Sequence, residues 1–384
     1  MHGRSTRAAL GWLSWALLAA TSACGERDPA SSSLPAEAST VASASAAPTQ
    51  PGDPREAKLE ALLLATVGCE GFALDEAALD AVDSMDDFLC PAELEFKRRA
   101  AEPSEGDELS VERHALAARV CERHLAHESL GVRHAAMGCL AEHADGLQDA
   151  KLTLAALLDQ AMIEPDGETA TLLFQAVRAI DPTRHGVTPR LVAVLRKRAD
   201  EDHAVAPERL GREARARFYA RQSYENRRAA ETGVLALIPR SKEHAPTPEA
   251  VGYALELARA GRGSRGVVEL IGLSDLEVSV ACEAYATIAT SRDLGWFTGL
   301  EGAASTRGLC KEQSARFVDA LVGRLGGEMA GSRIPPLALR TLQPLIEGGV
   351  FDAAARARLR AAVAAVPAAD RSGERFDELE RLLR

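Results

Sequence analysis

The chain has 384 residues, enough for one elongated domain or two compact ones. Hydrophobic residues make up 46% and aromatics only 4%, so the core must be Leu, Ala and Val; Ala and Leu are the best helix formers, whereas strands favour aromatic and β-branched residues. A net charge of −11 excludes general nucleic-acid binding, which depends on neutralising phosphates.

The first predicted element is a leader. Arg4 and Arg7 form a positive start, and Ala8 to Ala20 an apolar run too short for a comfortable transmembrane helix. Thr21-Ser22-Ala23-Cys24 follows. Residues 1–23 therefore read as a secretory signal, and cleavage after Ala23 also suits an ordinary small-x-small site. The segment resembles a bacterial lipoprotein signal, in which a small residue precedes the lipidated cysteine; Thr21 stands where that family usually has Leu. The resemblance implies a lipid on Cys24. Gly25 rather than Asp after the cysteine then implies an outer-membrane protein facing the periplasm or cell surface.

Residues 24–55 are rich in Ser, Ala and Pro and read as a disordered tether, with too little apolar bulk to offset its ordering entropy. Residues 56–384 read as a helical domain. Apolar residues recur at helical spacing at Leu59, Leu62, Leu63, Thr66 and Val67, then at Val132, Ala135, Ala136, Cys139 and Leu140. The pattern returns at Leu173, Ala176, Val177 and Ile180, at Ala230, Val234, Leu237 and Ile238, at Val278, Ala281, Cys282 and Tyr285, and at Phe317, Ala320, Leu321 and Leu325. Asp181-Pro182, Pro239, the Gly261–Gly266 stretch and Pro335-Pro336 punctuate it. Ser110 and Ser274-Asp275 supply predicted caps.

Several segments look like copies of one unit. Residues 131–144 and 226–239 share Arg-x-Ala-Ala followed by small residues and an apolar end; 276–289 has the same shape without the Arg, and 167–180 is a weaker copy. These resemble the second helix of HEAT or armadillo-like repeats, at an irregular spacing of roughly 40 to 55 residues. The resemblance implies an all-α solenoid of stacked helix pairs with an extended binding surface; an irregular helical bundle is the alternative. Residues 56–105 and 335–384 read as helical caps, the last a polar end helix.

With Cys24 set aside, six cysteines remain as three local couples: Cys69 with Cys90, Cys121 with Cys139, and Cys282 with Cys310. An even count in an exported chain fits disulfides, although Cys139 and Cys282 also suit buried free thiols on apolar stripes. Cys121, His124 and His127 form the one string with metal-ligand character; solvated histidines beside a helix turn are the competing reading, and no metal or other cofactor is assigned. Gly261 to Gly266 matches GxGxxG by letter but follows a helical segment, so it reads as an interhelix loop. In the Arg-rich stretch 207–228, Arg217, Tyr219, Arg221 and Arg228 are the candidates for contact with an acidic partner, lipid headgroups or an anionic cell-wall polymer, against a solvated helix balanced by neighbouring glutamates. Recognisable catalytic signatures are lacking. The expected function is a lipid-anchored, non-catalytic protein-binding scaffold with an unidentified protein partner. Alternatives are an envelope-polymer hydrolase or lyase on a helical fold, and a passive structural protein of the envelope.

Overall fold

A computed structural model describes residues 53–74, 90–101, 108–200, 212–241, 244–292, 295–325, 336–367 and 374–384. The predicted signal, Cys24 and nearly all of the tether lie outside them, as do residues 75–89 between Cys69 and Cys90. Among the described residues there are sixteen α-helices and no strand. In chain order they are α1 (Pro54–Leu64), α2 (Pro91–Ala101), α3 (Glu108–Arg123), α4 (Leu130–His143), α5 (Ala150–Ala161), α6 (Gly167–Ile180), α7 (Thr188–Asp200) and α8 (Arg212–Leu235). There follow α9 (Pro248–Arg259), α10 (Arg265–Gly272), α11 (Val278–Thr290), α12 (Trp296–Ser305), α13 (Ser314–Leu325), α14 (Pro336–Glu347), α15 (Ala353–Ala365) and α16 (Glu374–Leu383). The first described helix begins at Pro54, where Asp53 caps α1 through the Arg55 N–H and Pro54 fits the first helical turn.

Packing follows one rule. Each even-numbered helix packs on the next even one, without a break from α2 to α16. The odd helices do the same from α5 to α15, and α1 packs on α3. Thr153 of α5 donates a hydrogen bond to Glu122 of α3 and links the two runs. Within pairs, α3 meets α4, α5 meets α6, α7 meets α8, α9 meets α10, and α11 meets α12. This is a two-layer stack of helix pairs, and the apolar stripes of both layers merge into one core running from Leu59 to Leu383. The stripes on α4, α6 and α13 are buried as expected.

Local chemistry sets the helix starts. Ser129, Asp149, Asp166, Thr247, Ser264 and Asp352 each accept a backbone N–H of the first turn. Two predicted caps fail. Ser110 lies inside α3, which begins at Glu108. Ser274 instead closes α10, its hydroxyl donating to the Ile271 carbonyl, and α11 begins at Val278 with no side-chain cap. The copy at 276–289 also belongs elsewhere: α4, α6 and α8 are even-layer helices, whereas α11 lies in the odd layer. Both layers bury small residues, so an alanine-rich stripe does not report its layer. The last helix is not simply polar either, since Phe376, Leu379 and Leu383 are buried.

Arginine closes helix ends. The carbonyls at a helix C-terminus lack intrahelical partners and carry partial negative charge. Arg113 of α3 donates to Arg99 O in α2, and Arg198 of α7 to Ala161 O at the end of α5. Arg240, beyond α8, reaches Ala179 O in α6; Arg324 of α13 reaches Ser291 O after α11; Arg360 of α15 reaches Leu383 O in α16. Three of these five contacts step to the next helix of the same layer.

The three disulfides join Cys69 to Cys90, Cys121 to Cys139, and Cys282 to Cys310. The second staples α3 to α4, and the third ties α11 to the turn after α12. The GxGxxG stretch is the α9–α10 connection. It touches the α11–α12 connection so closely that a Cβ on Gly295 would lie 1.8 Å from the Gly263 carbonyl oxygen. Backbone proximity, rather than phosphate binding, accounts for glycine there.

Candidate functional site

Three even-layer helices, α4, α6 and α8, end along one edge of the stack, and the chain leaving each one lines a common cleft of about 800 Å³. After α4 comes a single 3-10 turn, Ala144–Gly146. Gly146 lets this turn press on α3: a Cβ there would lie 2.2 Å from the His114 carbonyl carbon. At the same junction His143 Nδ1 lies 2.9 Å from His114 Nδ1. One ring must donate and the other accept, so the contact requires at least one neutral imidazole. His143 is only 4% exposed and its Nε2 has no partner. Burial, then the nearby His114 and Arg113, push its pKa down to about 4.

Asp181 ends α6 in the left-handed region at φ 68°, a conformation that Asp tolerates better than most residues. Its carboxylate accepts the Arg184 N–H at 3.3 Å, and Pro182 prevents the helix continuing. Beyond α8, Pro239 turns the chain so that Arg240 reaches back to cap α6. The walls of the cleft carry Asp145, Asp181, Arg184, His185, Arg240 and His244, and apolar lining comes from Leu147, Ile180 and Pro239. Asp145, Arg184, Arg240 and His244 are exposed.

Of the four residues expected to meet a partner, Arg228 alone has a described side chain. Arg228 is half-buried, 3.9 Å from Glu225 one turn away on α8, and does not line the cleft. Arg217, Tyr219 and Arg221 belong to α8 by backbone, and their side chains lie outside the described residues. The string Cys121, His124, His127 is not a ligand set. Cys121 has its sulfur bonded to Cys139, which removes the thiolate a metal would need. His124 Nε2 lies 2.8 Å from Glu60 Oε1, and His127 Nδ1 accepts the Ser129 N–H at 3.1 Å. Among the described residues no group of three or more His, Cys, Asp or Glu is placed to hold a metal.

Reading Asp181-Pro182 and Pro239 only as punctuation misses the cleft residues. A signal was present: in Pro182-Thr183-Arg184-His185 and in Pro239-Arg240, followed by His244, a proline after an apolar helix end is succeeded by Arg and then His. The two segments occupy equivalent places in successive pairs.

Comparison with protein-family models, curated proteins and solved structures found no match to this chain.

Proposed function

We propose that this protein is a lipid-anchored envelope protein, held at the outer membrane through Cys24, whose helical body is a non-catalytic scaffold for a protein partner. The observation that carries the scaffold reading is the cleft, built from the exits of three successive helix pairs and edged with exposed charges of both signs. Stacked pairs offer such extended edges because neither helix of a pair can bury its apolar side alone. The three disulfides are compatible with an exported protein, and no helix among the described residues is long and apolar enough to cross a membrane. Attachment through a lipid on Cys24, with residues 24–55 as a tether, fits both.

Hydrolysis or lysis of an envelope polymer is the second reading, because Asp145, Asp181, His185 and His244 share the cleft. Asp145 and His244 are exposed, which favours docking, since acid–base catalysis gains from excluding water.

The experiment is intact mass and membrane fractionation of wild type and Cys24→Ala in a bacterial host. An acylated chain beginning at Cys24, with membrane attachment lost in the variant, is expected. A soluble, unmodified wild-type chain would overturn the anchor. Crosslinking on intact outer membranes tests the scaffold: a partner lost on charge reversal at Arg184 supports it, and no enriched partner favours a passive structural protein.

A further inference from the structure

We infer that the cleft at the ends of α4, α6 and α8 binds a short zwitterionic peptide, its carboxylate taken by Arg184 and Arg240 and its ammonium by Asp145. This deepens the scaffold reading and rests on it.

Among the described residues arginines are mostly committed, either to carboxylates, as Arg119 and Arg123 are to Glu56, or to helix ends, as Arg198 and Arg324 are. Arg184, like Arg178, Arg227 and Arg259, is one of the exposed arginines outside that pattern. Its guanidinium makes no hydrogen bond or ion pair with a described residue, although two carboxylates line the same cleft. Arg240 spends Nη1 on the Ala179 carbonyl and faces no carboxylate within ion-pair distance among the described residues. Asp145 likewise meets no described cation, while Asp181 is turned back onto its own loop by the Arg184 N–H. The cleft therefore holds two cations and one anion left unmatched by the fold.

A ligand of one sign would satisfy half of this set and desolvate the other half, which is costly. A ligand carrying both signs satisfies both. The ammonium end belongs with Asp145, just beyond the C-terminus of α4, where the helix dipole is negative. The carboxylate end belongs with the two guanidiniums, whose paired N–H groups match carboxylate geometry. His185 and His244 add ring donors, and Leu147, Ile180 and Pro239 give small apolar side chains a surface to rest on. A volume of about 800 Å³ falls within the range of small-ligand clefts.

The test is calorimetric titration of the detergent-solubilised full chain with tetra-alanine bearing free termini, with its N-acetyl form, and with its C-amide form. Saturable binding of the free peptide is expected, weakened at least about tenfold by blocking either end. Asp145→Asn should weaken the free peptide about tenfold and leave the affinity for the N-acetyl form unchanged. Arg184→Gln should do the same with respect to the C-amide form. Both side chains are exposed, so an unchanged thermal midpoint in each variant verifies folding. No saturable heat at millimolar free peptide overturns the proposal, as does a loss confined to one blocked end. Neither result touches the anchor, which the mass of the Cys24-initiated chain decides.

Discussion

The Arg133 guanidinium meets the Glu164 carboxylate at two points, Nε to Oε2 at 2.8 Å and Nη2 to Oε1 at 3.2 Å, and Glu164 is wholly buried. Arg133 also donates to the carbonyls of His127 and Glu128, and Gln160 donates to Glu164 Oε2 at 3.0 Å. The network joins α4 to the α5–α6 connection, where Arg198 of α7 also binds the Glu164 carbonyl.

Breaking one side of this pair strands a buried charge. Arg133→Met is expected to cost roughly 3–5 kcal/mol in urea unfolding. Arg133→Met with Glu164→Met should recover a large part of that loss, because no isolated carboxylate remains. A double variant as unstable as the sum of the singles would show that the two residues act independently.

Acid should weaken the junction at His143. Its folded pKa of about 4 lies below the ordinary 6.5, so between those values the unfolded chain binds a proton that the folded chain does not. Stability is then complete above about pH 6.5 and falls as pH drops towards 4, by roughly 3 kcal/mol from this residue. Glu56 adds a loss at lower pH, since burial raises its pKa but the hydrogen bonds from Arg123 and Arg119 together hold it below the ordinary carboxylate value. The check is the difference in urea midpoint between pH 7 and pH 4.5 for wild type and His143→Phe. The variant should be flatter in this window, and equal slopes would remove His143 from the account.

Removing the Cys282–Cys310 crosslink by a double serine substitution should cost about 3.5 kcal/mol, the loop-closure value for a separation of 28 residues. The intact wild-type mass should fall short of the reduced mass by two hydrogens for each of the three disulfides. An unchanged thermal midpoint in the serine variant would place its stabilisation in packing.

Gly295→Ala should destabilise by about 1–3 kcal/mol, since the new methyl would overlap the Gly263 carbonyl. Gly252→Ala, where a Cβ meets nothing within 4 Å on the helix α9, should instead hold or raise the midpoint. If the two variants behaved alike, contact between the connections would not explain the glycines.

Periodicity sufficed to read the helices and the nearness of each cysteine couple, because both depend on short stretches of chain: Val132 to Leu140 write their own buried stripe, and Cys121 and Cys139 sit on adjacent antiparallel helices. Layer assignment was not legible at 276–289, since Ala281, Cys282 and Tyr285 satisfy the same spacing on either side of the stack. The cleft was hidden for a related reason. Arg184 and Arg240 are 56 positions apart in the sequence, and only the alignment of successive helix ends makes them neighbours of one cavity. Arg133 and Arg227 open the same Arg-x-Ala-Ala text, yet the first is paired with the buried Glu164 and the second is exposed. Which arginine becomes structural is settled by the acid that another helix pair happens to supply.

The arginines that close helix ends have a mechanical consequence. Each grips an adjacent helix or the next one of its layer, and the principal packing likewise joins only elements close in the chain. Among the described residues nothing of comparable extent fastens the first pair to the last. Pulled between Pro54 and Arg384, the body should yield as a zip does, pair after pair from an end, with a sawtooth of small force peaks in place of one large rupture.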